Sequence, residues 1–202
     1  LDWNIDGGFF QTSLHRRISG HWYGGAMIRY LDMTQDLDLR DVEQPVDYDG
    51  EIRTWGIGLD FKYDSRDLPG YPFSGHLFEA SAITSDMSPR DRGNYQNYNL
   101  RFRTYHKLTD RMVLAGDASY CTRSGEFPLW DACWLTLRGF PITRYMAETA
   151  YQAQVEARFK FSRRWGAVVF AGAGDVSDSI TAEPKDSFVP SYGAGIRFTV
   201  MQ

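Results

Sequence analysis

A length of 202 residues allows one domain, and a net charge of −4 without any basic run or stripe argues against nucleic acid as a partner. Aromatic residues make up 15% of the chain while mean hydropathy is only −0.44. That combination is foreign to a soluble protein and natural where every strand is half polar. No apolar run reaches about 18 residues, so no helical span is expected.

In chain order, alternation is the recurring signal. Strands send successive side chains to opposite faces. Gly7 to Ile18 sets Gln11, Ser13, His15 and Arg17 on one face, and Ser19-Gly20 turns the chain. His21 to Asp32 follows, with Trp22, Ala26, Ile28 and Tyr30 together. An acidic, aperiodic connection from Thr34 to Gly50 reads as an exposed loop. Glu51 to Asp64 places Trp55, Ile57, Leu59, Phe61 and Tyr63 opposite Gly56, Gly58, Asp60 and Lys62. After the turn-rich segment 65–74, Gly75 to Ser85 sets Phe78, Ala80 and Ala82 against Glu79 and Ser81. Tyr95 to Lys107 sets Tyr98, Leu100 and Phe102 against Asn97, Asn99, Arg101 and Arg103. Arg111 to Arg123 opposes Met112, Leu114, Ala118 and Tyr120 to Asp117 and Ser119.

A long connection, 124–149, precedes the clearest strand, Ala150 to Phe161. There Tyr151, Ala153, Val155, Ala157, Phe159 and Phe161 alternate with Gln152, Gln154, Glu156, Arg158 and Lys160. Trp165 to Asp175 and Val189 to Val200 complete nine strands. Connections alternate short (19–20, 65–74, 108–110, 162–164) and long (33–50, 86–94, 124–149, 176–188). Short turns at one end and long loops at the other are the organisation of outer-membrane barrels, with lipid outside and a wet lumen inside. The expected fold class is therefore an all-β, antiparallel up-and-down transmembrane β-barrel, or part of one, with about 8–10 strands over residues 1–202.

Chemistry-bearing constellations are few. His15, His21, His76 and His106 are scattered, and no nucleophile elbow, phosphate-cradling loop or metalloprotease helix occurs. No enzyme activity, cofactor or metal is expected. Asp64, Arg66 and Asp67 read as an ion-paired turn rather than an acid pair. Glu79, Arg101, Arg103, Asp117, Glu156, Arg158 and Lys160 read as a mutually paired luminal wall rather than a catalytic cluster. Cys121 and Cys133 leave two readings open: a disulfide closing the base of the long loop, as in an oxidising compartment, or two free thiols.

Three motifs carry a resemblance. L-R-G-F at 137–140 resembles the V/L-R-G-F/Y signature of the BamA-like outer-membrane assembly and translocation superfamily, which includes the bacterial surface antigen barrels. Asp64, Arg66 and Asp67, followed by Pro72 and Gly75, resemble that superfamily's D-x-R-D…P-x-x-G turn. Glu156 matches the acidic residue on the strand after the signature, and Asp175, three residues beyond Gly172, stands near the second acidic position. The resemblance implies a loop folded into the lumen with Arg138, its tip residue, docked on acidic wall groups; next to it Gly139 lets the backbone turn or approach the wall closely without a Cβ clash, and Phe140 can pack beside it. It also implies protein insertion or translocation at the bacterial outer membrane, with lipid and client outer-membrane or secreted proteins as partners. The superfamily continues through two further strands to a terminal aromatic, so the chain is expected to be part of a larger barrel or to be completed by another chain. Two other readings are a passive pore or structural surface antigen, and a soluble lipocalin-like barrel with the faces inverted.

Overall fold

A computed structural model describes residues 2–38, 50–88, 93–142, 144–180 and 188–198. Its strands are β1 (Asp2–Ser19), β2 (Trp22–Asp38), β3 (Gly50–Asp64), β4 (Gly75–Ser88) and β5 (Asn94–Thr109). They continue as β6 (Met112–Gly125), β7 (Cys133–Trp134), β8 (Met146–Lys160), β9 (Trp165–Ser179) and β10 (Val189–Phe198). All belong to one antiparallel up-and-down sheet in chain order, except that the two-residue β7 pairs only with β8. Among the described residues nine strands thus form the wall, and β7 is a strand that alternation over so short a span could not reveal. Among the described residues β1 and β10 do not pair, so the sheet is an open wall rather than a closed ring. The expected last positions of the final strand, 199–200, lie outside the described residues, as does most of the acidic connection (39–49).

The two faces of the wall separate by parity. On β3, Ile52 and Thr54 are 2% and 1% exposed, while Trp55, Ile57 and Leu59 are 62%, 65% and 68% exposed. On β8, Gln152 and Glu156 are buried and Tyr151 and Val155 stand out. The outer face is therefore the apolar one, the reverse of a lipocalin. Leaving so many large apolar side chains in water would be costly, at roughly 1.5–3 kcal/mol each, whereas hydrocarbon accepts them.

Aromatic rings bracket this outer band. At the short-turn end Trp22 stacks on Phe61 at 4.9 Å and meets Tyr63 at 4.5 Å, and Trp165 meets Phe198 at 4.9 Å. Toward the long loops Tyr30 meets Trp55 at 4.5 Å, and Tyr120 lies opposite Tyr151. From Trp55 to Tyr63 the strand advances roughly 26 Å at about 3.3 Å per residue. A tilt of about 40° reduces that to roughly 20 Å along a bilayer normal, close to the apolar band of such barrels.

What fills the inner face is the connection between β6 and β8. Its Leu135, Leu137 and Tyr145 are buried with Cys133, Ala147, Ala150, Val176 and Val189, and Phe140 packs beside them. Nearer its start, Phe127 and Trp130 pack on Ile52, Met87 and Tyr95 of β3, β4 and β5. One connection thus reaches from the β3–β5 side of the lumen to the β8–β10 side.

The parity makes a testable asymmetry. A basic side chain at the lipid-facing midplane costs about 2–4 kcal/mol, and one facing the lumen costs little. Val155→Arg should lower the yield of heat-modifiable, membrane-assembled protein sharply, while Gln154→Arg should assemble nearly as well as the parent. Equal yields would contradict the facing.

Candidate functional site

Arg138 comes to the inner wall through a turn. Gly139 has φ +92°, a conformation that L side chains rarely adopt, and a Cβ there would meet nothing within 4 Å. The glycine is thus required for the backbone turn and not for close approach to the wall. Beyond that turn the Arg138 guanidinium pairs with the Glu156 carboxylate and lies 4.7 Å from the Phe170 ring. Its backbone carbonyl accepts a hydrogen bond of 2.5 Å from the Ser191 hydroxyl of β10. Glu156 is 5% exposed and also meets Arg158 and Arg197, the latter at 3.1 Å. Three guanidiniums from the loop, β8 and β10 therefore share one buried carboxylate. Close by, the Thr136 N–H donates to Gln152 Oε1 at 2.8 Å.

A second anchor lies at the other end of the loop. A 3-10 turn, Leu129–Asp131, delivers Asp131 into a polar pocket of the wall. Arg29 on β2 donates to its two carboxylate oxygens at 3.1 and 2.6 Å. The Tyr95 hydroxyl and the Asn97 amide of β5 donate to Oδ2, each at 2.8 Å. Arg123 of β6 donates to the Asp131 carbonyl at 2.6 Å. Arg29 also donates to the Ser85 hydroxyl at 3.0 Å. Side chains on β2, β5 and β6 thus converge on a single loop residue, and Ser85 of β4 joins them through Arg29. Sequence reasoning missed this node. The available signal was parity, since Arg29 falls on the luminal side of a strand whose other face is Trp22, Ala26, Ile28 and Tyr30.

The two cysteines are joined in a disulfide whose Cα atoms are 5.7 Å apart. It ties β6 to the loop between the two anchors.

The β3–β4 turn is built as its residue types dictate. Arg66 makes a fork on Asp64, with Nε and Nη2 each donating at 2.8 Å. Asp67 Oδ1 accepts from the backbone N–H groups of Leu68, Phe73 and Ser74 at 2.8, 3.0 and 3.3 Å. Slight desolvation pushes the Asp67 carboxyl up, but those donors outweigh it and hold it below the ordinary value. Gly75 has φ +101°, and a Cβ there would fall 2.3 Å from the Ser65 carbonyl oxygen. The Pro72 carbonyl accepts from Arg158 at 3.4 Å, and Arg158 lies over the Tyr71 ring at 5.6 Å. The turn therefore tucks under the lumen and meets the residue that also holds Glu156.

Asp175 does not join this group. In the β8–β9 register it sits opposite Tyr151, on the outer face, and accepts from the Tyr151 hydroxyl at 2.9 Å. An odd-numbered position on β9 shares the outward parity of Val169, so no shift short of a bulge brings it inside. The inward positions of β9 offer Arg138 the Phe170 ring instead.

No family model matches the chain, and no curated protein matches it. Among solved structures it is similar to the crystal structure of BamA from Haemophilus ducreyi lacking POTRA domains 1–3, with a TM-score of 0.76. The fold resembles part of a BamA barrel. Sequence identity is 12%, and the match covers 97% of this chain and 48% of the BamA chain. The present chain thus spans about half the length of that BamA chain, and its wall of nine strands is an open segment of the architecture.

The two anchors should differ in cost. Removing one partner of a buried ion pair costs about 3–5 kcal/mol, so Asp131→Ala, which strands two arginines, should fall in that range by denaturant titration in micelles. Arg138→Ala leaves Glu156 two other guanidiniums and removes a half-exposed side chain. It should cost on the order of 1–3 kcal/mol, raise protease cleavage between residues 126 and 145, and spare the strands. Arg138→Lys, which keeps the charge but loses the fork, should be intermediate. Unchanged cleavage in Arg138→Ala would contradict the docking.

Proposed function

We propose that this chain forms wall and luminal loop of a bacterial outer-membrane barrel that inserts or translocates proteins. The observation that carries the reading is the seat of the L-R-G-F loop, with Arg138 on the buried Glu156 inside a wall whose outer face is apolar. Those are the positions that the resemblance to the BamA-like superfamily assigns, and the backbone likeness to a BamA barrel supports it. In that superfamily the barrel works through a weak lateral seam and a luminal loop. Among the described residues β1 and β10 present unpaired backbone edges, on which a client strand, or another chain completing the barrel, could add.

A passive pore is the less economical reading. The loop fills its lumen with two apolar plugs, one around Leu135 and Leu137, the other around Phe127 and Trp130. A conduit for solutes has no need of them. A structural surface antigen accounts for the plugs but not for an arginine held on a carboxylate shared by three guanidiniums.

The full chain reconstituted in liposomes should accelerate folding of a urea-unfolded outer-membrane barrel over protein-free liposomes, and Arg138→Ala should reduce the acceleration. Ion conductance with no acceleration would replace this reading with the pore.

A further inference from the structure

Between the docked loop and the turn beneath it, the lumen holds more guanidinium groups than its carboxylates neutralise. Arg101 and Arg103 of β5 both bind Asp117 of β6. Arg101 donates at 3.2 and 2.6 Å, and Arg103 at 3.1 Å. Arg138, Arg158 and Arg197 share Glu156. Five guanidiniums therefore meet two carboxylates, an excess of three positive charges. Glu79, opposite Arg101 in the β4–β5 register, does not offset it, because Lys62 stands 3.9 Å from its carboxylate.

Three of these guanidiniums, those of Arg101, Arg138 and Arg158, border a cavity of about 190 Å³ together with Asp117, Glu156 and Thr136, while Arg103 and Arg197 reach the two carboxylates from outside its lining. A water molecule claims about 30 Å³ of liquid, so the cavity holds a tetrahedral oxyanion and a few waters. The side chains of Arg101 and Arg138 are 40% and 45% exposed despite their ion pairs. Each guanidinium carries five N–H donors, and two carboxylates cannot engage them all. A cleft of one sign with low-dielectric walls concentrates ions of the opposite sign.

We infer that this cavity is a binding site for a small oxyanion of the phosphate type, held by Arg101, Arg138 and Arg158. Asp117 and Glu156 orient the forks, and the remaining donors face the anion, the bidentate geometry that arginine favours for phosphate. The site does not depend on whether the barrel moves proteins.

The test is calorimetric titration of inorganic phosphate into the full chain refolded in zwitterionic micelles, at constant ionic strength set by chloride. Heat-modifiable mobility checks the fold of every variant. The expected result is one saturable site per chain. Arg101→Gln should weaken it about tenfold, as loss of a charge-assisted contact does, with Arg101→Lys intermediate. Asp117→Asn, which frees two guanidiniums, should tighten it severalfold, an effect that a purely structural role for Asp117 would not produce. Repeating the titration in micelles doped with phosphatidic acid separates the sources. Loss of phosphate binding there assigns the site to a lipid headgroup, and unchanged binding assigns it to a soluble anion. Absence of saturable heat, or a dissociation constant that Arg101→Gln and Asp117→Asn leave unchanged, would overturn the inference.

Discussion

Charged groups on the inner face of a wall whose outer face is apolar need partners, and a single sheet offers them few. Neighbouring strands supply some, as Asp117 does for Arg101 and Arg103. The most buried charges are matched from elsewhere. Asp131 and Arg138, both on the β6–β8 connection, meet Arg29 and Glu156; Arg29, Glu156 and the nearly buried Asp131 would be costly to bury singly, while Arg138 stays half-exposed. The connection is thus less a loop on the structure than the core of it. Its apolar residues cover the inner wall and its two charges complete the polar networks there. Its disulfide limits how far it can leave.

The placement of Glu156 explains why one residue gathers so much. Position 156 lies on the inward parity of β8, and β8 lies between the strand that precedes the loop and the two that follow it. From there a carboxylate reaches the loop through Arg138, the last strand through Arg197, and the turn at the opposite end through Arg158 and Pro72. Loop, wall and turn are mechanically joined at that carboxylate. The open edges stand apart from it. With nine strands in the wall, β1 and β10 run in the same direction, so an antiparallel closure would require an odd number of added strands.

Much of this was legible in the residues because alternation is a local property. Val155 out and Glu156 in, Trp55 out and Thr54 in, follow from period two alone, and short turns against long loops followed from where alternation stopped. The Arg138–Glu156 contact was legible through the motif. What stayed hidden was long range. Asp131 sits in an aperiodic segment, and its partners lie on strands brought together only by the curvature of the whole sheet. Asp175 was misplaced because nearness to a motif position was weighed above its parity, which the register enforces. The glycine of the motif was expected at a turn or a close approach. Its positive φ with open space around the missing Cβ selects the turn.

The central claim is that the connection lies inside the wall, and a cross-link measures it directly. Thr136 and Gln152 are hydrogen-bonded across the loop–wall boundary. A chain carrying Thr136→Cys and Gln152→Cys, with Cys121 and Cys133 replaced by serine, should be joined by a short bifunctional thiol reagent, since the contact runs through the length of the glutamine side chain, and keep its heat-modifiable mobility. Failure to cross-link, with residue 136 instead labelled freely by a bulky aqueous maleimide from the long-loop side, would contradict the account.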